Sequence, residues 1–378
     1  MKIVLVQHVL PAYRHSVFEE IRRLSNEDNH VFELWHSHAT GSFARRGTEG
    51  SLDWARVLPI HGLRFGKVEL FWQTLPWRDV FSADVIIVPD ASRNLTNLAV
   101  IVVRRVLRKP VLTWGHGANF QPDGLSRFFS SLRYRLVRLA NGHLVYTKTC
   151  VGPLVANGVD IQRIGVTENA IDASAAGDLH AGHAEVLAFR ERHRLGEGPC
   201  FVFLGSWYAR KRPERIIQFG EALQSNIPGA KVLVIGGGDG VSVLKAKCPP
   251  WLVLLGPLHG RQKYVALCAA RCLVVSGVAG LNLLDAMAVG LPIVVPERND
   301  HSPEIDYVND GVNGFVVPDD IGLMVAACKR LNGDATLRNR MCASARKTYS
   351  THSVERMAGN IYGFAVNAAL GDFDTRAY

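Results

Sequence analysis

No apolar run in these 378 residues reaches the roughly 18 that a membrane-spanning helix needs; the longest windows, such as residues 98–106, are interrupted by arginines. The opening apolar stretch, residues 3–6, is too short for the core of a secretory leader and reads as a first strand. Cysteine is present seven times, an odd number, scattered and without any Cys-x-x-Cys pair. That pattern excludes a disulfide framework and reads as reduced core thiols in a cytosolic protein. A Walker A sequence is missing. The glycine triplet Gly236-Gly237-Gly238 does not complete a dinucleotide fingerprint, because Val241 stands where its last glycine would fall. No basic-aromatic motif of a nucleic-acid module occurs, so nucleic acid is not an expected partner.

What is there points to two domains. A chain 48% apolar and 20% charged can bury two ordinary cores and is neither disordered nor fibrous. Short β-like runs at 2–6, 31–35, 85–88, 110–114 and 144–146 alternate with helical stretches such as 16–24 and 94–107. After the turn-rich segment 169–183 and a charged helix at 187–193 the pattern restarts, with strands at 200–204, 231–235, 252–255, 272–275, 293–295 and 314–317. Alternating strands and helices predict α/β architecture, two Rossmann-like doubly wound domains facing a central cleft. The expected bounds are 1–170, 171–355, and a C-terminal helix and tail 356–378 that returns to the first domain.

The net charge of +9 is uneven: residues 1–168 hold 21 Lys and Arg against 14 Asp and Glu, the remainder 22 against 20. Within the basic half, residues 126–139 place Phe128, Phe129, Leu132, Leu136 and Leu139 on one helical stripe, with Arg127, Arg133, Arg135 and Arg138 mostly off it. Such a helix is either a core helix with a solvated basic side or one that lies on an anionic membrane surface.

The most informative stretch is residues 275–295, a β-run, a Gly-rich turn, a helix with one carboxylate and a second β-run. That order aims backbone N–H groups and a helix N-terminus at one place, which suits a diphosphate. Together with Gly205-Ser-Trp-Tyr-Ala-Arg-Lys211, the 236–238 triplet, Gly256-Pro257, Leu283-Leu-Asp285-Ala-Met-Ala-Val-Gly290-Leu-Pro292, Pro303-Glu304 and Gly311-Val-Asn-Gly314, it resembles the C-terminal half of the family 4 glycosyltransferases (glycosyl transferases group 1). These six signals run in family order. The N-terminal half resembles the family more loosely, through Tyr13-Arg14 after the first strand, Trp114-Gly-His116-Gly117, and Asn169-Ala-Ile-Asp172.

The resemblance implies a GT-B fold and transfer of a sugar from a nucleotide-sugar donor to a glycan or lipid-linked acceptor in surface polysaccharide synthesis. It further implies retention of configuration, no metal and no cofactor, a cytoplasmic location, and work at the inner membrane face. Lys211 would neutralise the donor phosphates, and the N–H groups of Val278, Ala279, Gly280 and Leu281 would cradle them. Asp285 would accept from ribose hydroxyls, with Ser206, Arg210, Gly237 and Glu304 also at the donor. His116 would contact the donor sugar or the reaction centre, and Tyr13, Arg14 and His301 would lie on the acceptor side. Duller readings stand beside these: His116 as a backbone-bonded histidine between glycines, Glu304 as a carboxylate suiting a helix start after Ser302-Pro303, and Tyr13-Arg14 as a loop anchor. The chain departs from the family at two points. Gly277 stands eight positions before Asp285 where a glutamate is usual, and Ser206 replaces an arginine, whose charge Arg210 or Arg212 would supply. A sugar-nucleotide epimerase and a catalytically silent GT-B protein are the competing readings.

Overall fold

The computed structural model describes all residues except 40–48, 66–67, 92, 118–133, 135–136, 181 and 373–378. Of the Arg-rich stretch 126–139, only residues 134 and 137–139 are therefore described, and its helical reading lies outside the described residues. The chain divides into two compact units, Met1–Ala170 with Ser353–Tyr378, and Ile171–His352. Because the last helix is capped by the Ser353 side chain, which accepts from Arg356 N–H, residues 353–355 group with the first unit rather than the second.

In the first unit seven parallel strands lie in the order β3-β2-β1-β6-β7-β8-β9. They are β1 Lys2–Val9, β2 Val31–Ser37, β3 Arg56–Val57, β6 Val85–Pro89, β7 Val111–Gly115, β8 Gly142–Val145 and β9 Ile164–Val166. An antiparallel hairpin of β4 Ile60–Phe65 and β5 Val68–Gln73 stands apart from that sheet. Helices α1 His15–Glu27, α2 Trp77–Ser82, α3 Leu95–Val106 and α4 Val151–Ala156 accompany the strands. Both faces are buried, as the alternation along β1 requires. Ile3 and Leu5 join Phe18, Trp114 and Phe364 on one face, and Val4 and Val6 join Trp35, Val80 and Ile101 on the other. The C-terminal helix Val354–Leu370 belongs to the first of these layers. Its Phe364 lies so close over β8 and β9 that an added β-carbon would fall 2.8 Å from the ring at Gly142 and 2.7 Å at Gly165, so both strands need glycine there.

The second unit has six parallel strands in the order β12-β11-β10-β13-β14-β15. They are β10 Cys200–Leu204, β11 Lys231–Ile235, β12 Leu252–Gly256, β13 Leu273–Val274, β14 Ile293–Pro296 and β15 Gly314–Val317. Its helices are α5 Ala184–Arg192, α6 Glu214–Asn226, α7 Val241–Lys247, α8 Gly260–Cys268, α9 Asn282–Ala288, α10 Ile321–Gly333 and α11 Ala335–Ser350. Val202, Leu233 and Ile293 pack with α8 and α9, whereas Phe201, Phe203, Val232 and Val294 pack with α6 and α10. Strand order reverses direction between β10 and β13, and in open α/β sheets ligands bind at the carboxyl edge of such a switch point. The loops leaving β10 and β13 are those that carry Lys211 and the Gly-rich turn.

Strands β3 and β9 and the hairpin escape the sequence pattern. β3 has only two residues, both exposed, and the hairpin strands are not part of the main sheet. Such short or solvent-facing strands carry no periodic signal.

Candidate functional site

In the second unit the loop after β10 is locked to its neighbours by backbone hydrogen bonds. Trp207 N–H donates to Gly237 O at 2.7 Å, Gly240 N–H donates to Trp207 O at 2.9 Å, and the Trp207 indole donates to Ile235 O at 3.2 Å. Strands β10 and β11 approach so closely past their ends that a β-carbon on Gly236 would sit 1.8 Å from Gly205 O. The triplet's place is therefore structural. Gly237, read from sequence as a donor contact, spends its carbonyl holding the loop.

That loop is zipped in turn to the one after β13. Ser276 Oγ donates to Lys211 O at 2.6 Å, Val278 N–H to Arg210 O at 3.2 Å, and the Lys211 amine to Val278 O at 2.6 Å. Burial pushes the Lys211 amine down to about 8, with Arg210 lowering it further and Glu304 opposing. Near neutral pH it keeps its proton. An ammonium has three donors, and Val278 O takes one.

His301 braces the turn from the other side. Its Nδ1 accepts from Ala279 N–H at 2.9 Å, and its Nε2 lies 2.7 Å from Pro296 O, which fixes the proton on Nε2. Burial lowers its pKa. With both nitrogens committed to backbone, His301 is a brace of the Gly-rich turn rather than an acceptor contact. The Val278 and Ala279 N–H groups are thereby spent within the protein. Those of Gly280 and Leu281, at the start of α9, have no acceptor among the described residues. Two of the four expected donors thus remain for a ligand.

Asp285 lies on α9 and is partly covered. Its Oδ1 accepts from the Lys263 amine at 2.6 Å and from Tyr264 OH at 3.0 Å, both on α8. Desolvation raises its pKa, while Lys263 and Tyr264 oppose that. Oδ2 has no hydrogen bond among the described residues and is the oxygen left for a hydroxyl donor. Glu304 is buried on the 3-10 turn Pro303–Tyr307, within Coulombic reach of Lys211. Ser206 stands exposed on the loop.

The arginines that flank Lys211 part company. Arg210 donates to Asp300 O at 3.0 Å and pairs with the Asp300 carboxylate at 3.5 Å, yet stays within the field of Lys211. Arg212, in the left-handed region at φ 52°, pairs with Asp319 at 2.6 Å, a carboxylate it shares with Arg215 and Arg298. Of the two, Arg210 can stand in for the charge missing at Ser206, and Arg212 is occupied elsewhere. Residues that the sequence did not single out complete the site: Ser276, Lys263, Tyr264, and Asn282, whose amide donates to Leu204 O at 3.0 Å. Only Asn282, the first residue of α9 after the glycine turn, had a positional signal.

In the first unit, Arg14 is buried. Its guanidinium lies 4.5 Å from the Trp114 ring centre, 5.0 Å from Tyr146 and 5.4 Å from Tyr13, and it donates to Asn169 Oδ1 at 3.3 Å. An enclosed cation of this kind is a loop anchor and does not line a cleft. Tyr13 remains 42% exposed and can line one. His116 is exposed just beyond β7, edge-on to Tyr146 at 4.8 Å between centroids. Among the described residues, no cluster of three or more His, Cys, Asp or Glu could hold a metal ion.

Comparison with known proteins agrees with this geometry. Residues 198–334 match the family described as Glycosyl transferases group 1. Among solved structures, Anabaena HepE in complex with UDP-glucose aligns at a TM-score of 0.70 and 15% identity, over 96% of this chain and 98% of that one. The lipopolysaccharide outer core galactosyltransferase WaaB aligns at 0.65 and 14%, over 98% and 99%. A putative UDP-N-acetylglucosamine 2-epimerase from Listeria monocytogenes aligns at 0.63 and 13%, over 98% and 96%. No curated protein sequence matches. The fold is of the GT-B class. More narrowly, residues 198–334 of the second unit carry the group 1 glycosyl transferase domain.

Proposed function

We propose that the protein transfers a sugar from a nucleotide-sugar to a glycan or lipid-linked acceptor in surface polysaccharide synthesis, with retention and without a metal, on the cytoplasmic side of a membrane. The carrying observation is the Lys211 ammonium, held at Val278 O beside the open N–H groups of Gly280 and Leu281 at the sheet's switch point. In this reading the second unit takes the donor and the first the acceptor. Breaking the sugar–phosphate bond leaves a nucleoside diphosphate, and the charge that grows on it is what Lys211, Arg210 and the two N–H groups stabilise. These donors are positioned before reaction, so they need little reorganisation. The bond from C1 to the phosphate oxygen breaks as a bond from C1 to the acceptor oxygen forms on the same face, and the acceptor proton passes to the leaving phosphate. Asp285 Oδ2 holds ribose, while His116 and Tyr13 attend the acceptor side.

A thermal-shift panel of UDP-, GDP-, ADP- and dTDP-sugars, run with wild type and Lys211→Ala, tests the donor site. Stabilisation by one nucleotide class, lost in the variant, is the expected result, and UDP-sugars are the first to try because HepE was solved with UDP-glucose. No stabilisation by any of them rejects the donor site. Sugar transfer then needs an acceptor: interconversion of the nucleotide-sugar without one would indicate an epimerase, a fold-mate of which aligns here.

A further inference from the structure

Helices α8 and α9 both start at the carboxyl edge of the second sheet, α8 after residues 257–259 that follow β12 and α9 after the Gly-rich turn that follows β13. Each carries a charged side chain one turn in, Lys263 as the fourth residue of α8 and Asp285 as the fourth of α9. The Lys263 amine donates to Asp285 Oδ1 at 2.6 Å, and Tyr264 OH donates to the same oxygen at 3.0 Å. An ammonium that served only to neutralise Asp285 could sit between both oxygens. Here it and Tyr264 crowd on one and leave Oδ2 clear among the described residues.

The lysine has capacity to spare as well. Of its three protons one goes to Asp285 Oδ1, and the face of the Tyr264 ring, whose centre is 4.6 Å away, occupies a second direction. The third has no acceptor among the described residues. Both side chains remain partly open to solvent, 21% for Lys263 and 14% for Asp285. An open donor and an open acceptor thus stand side by side, joined through one carboxylate. A vicinal diol fits that pairing, because one hydroxyl can give its proton to a carboxylate oxygen while the neighbouring hydroxyl oxygen takes one from a cation. The pair lies one turn, about 6 Å along α9, from the open N–H of Leu281, so a single nucleotide can reach both.

We propose that Lys263 is a specificity residue: Asp285 Oδ2 accepts from one ribose hydroxyl while the Lys263 amine donates to the other, so that the site takes ribonucleoside diphosphate sugars and rejects those of 2′-deoxyribose. The inference rests on the reading of this sheet edge as the donor site, and it names the class of nucleotide that the site takes.

Titration calorimetry of the full-length protein with uridine and guanosine diphosphates, each against its 2′-deoxy and 3′-deoxy analogues, decides it. In wild type, loss of either hydroxyl should weaken binding about tenfold, as loss of one charge-assisted hydrogen bond does. Lys263→Met should erase the penalty for one hydroxyl and Asp285→Asn the penalty for the other, because each residue holds a different one. Lys263→Arg, which keeps a cation with donors, should restore the penalty that Lys263→Met erases. Should Lys263→Met fail to fold, Lys263→Gln, whose neutral amide is a weaker donor, should lower that penalty to about threefold. A lysine that only orients Asp285 would make both substitutions erase the penalty for the same hydroxyl, and that result overturns the proposal. Wild type that binds either deoxy analogue as tightly as its parent overturns it as well and leaves the donor site standing. If neither parent diphosphate binds, the donor site and this proposal fall together.

Discussion

A β-carbon on Gly277 would lie 2.3 Å from the Arg210 carbonyl oxygen, with the Lys211 backbone 2.7–2.9 Å away. The glutamate usual at this point of the family pattern is therefore not merely missing. The backbone of the neighbouring loop occupies the space its side chain would need to leave from, and the same approach lets Lys211 reach Val278 O. Loss of the carboxylate and the zipping of the two loops are one structural fact.

Gly277→Ala is accordingly expected to destabilise the protein by about 1–3 kcal/mol through forced backbone displacement, and Gly277→Glu by at least as much. Urea midpoints measure this. A Gly277→Ala variant as stable as wild type would show that the loops part easily.

Lys211 gives donor binding a pH dependence. Its folded pKa of about 8 lies below the 10.5 of an ordinary lysine, so the fold disfavours the charged amine. That contribution to stability is present above 10.5 and is lost as pH falls through about 8. Donor binding runs the other way, because it needs the ammonium. Affinity should fall by about tenfold per pH unit above 8 and be flat over the same range in Lys211→Ala. Titration calorimetry in two buffers of different ionisation enthalpy should also detect proton uptake on binding near pH 8.

Arg210 and Arg212 should separate. Arg210→Ala is expected to weaken nucleotide binding about tenfold, as loss of a charge-assisted contact does. Arg212→Gly should leave it unchanged. At φ 52° glycine removes roughly 1 kcal/mol of backbone cost, which offsets the half-exposed ion pair to Asp319. Equal losses in both would return Arg212 to the phosphates.

Asp285→Asn should reduce affinity for the natural nucleotide by about tenfold and affinity for its 2′,3′-dideoxy analogue much less, since only the former offers ribose hydroxyls. Lys263→Met, which leaves the Asp285 carboxylate covered and without its cation, should lower stability as well as affinity. Identical losses for both nucleotides would remove Asp285 from the ribose.

The first unit should be acid-sensitive. Burial holds His143 down at about 4, with its Nδ1 2.8 Å from Thr113 Oγ1. Because the folded value lies below the ordinary 6.5, this contribution is whole above 6.5 and is lost as pH falls toward 4, at about 1.4 kcal/mol per unit. His143→Gln should flatten the fall of the urea midpoint between pH 6.5 and 4.5; an unaltered slope would place the acid sensitivity elsewhere.

Apart from β3 and β9, the strands of both sheets and the order of the glycine motifs were legible in the sequence because they are local. A buried parallel strand needs a continuous apolar run such as Cys200–Leu204, and a tight turn needs glycine at fixed offsets, as at 236–238. Lys211 stands out through its spacing from Gly205, and Asp285 through its place in the stretch 283–292 that resembles the family. Tertiary structure alone decided how these groups are used. His301 lies 22 residues from Ala279 and binds its N–H, Lys263 lies 22 residues before Asp285 and takes its Oδ1, and Asn169 reaches Arg14 across 155 residues. The same holds for Gly277, which a sequence shows only as an absent glutamate. Each of these depends on which loops meet at the edge of a sheet, and that is set by strand order and close packing rather than by any local pattern of residues.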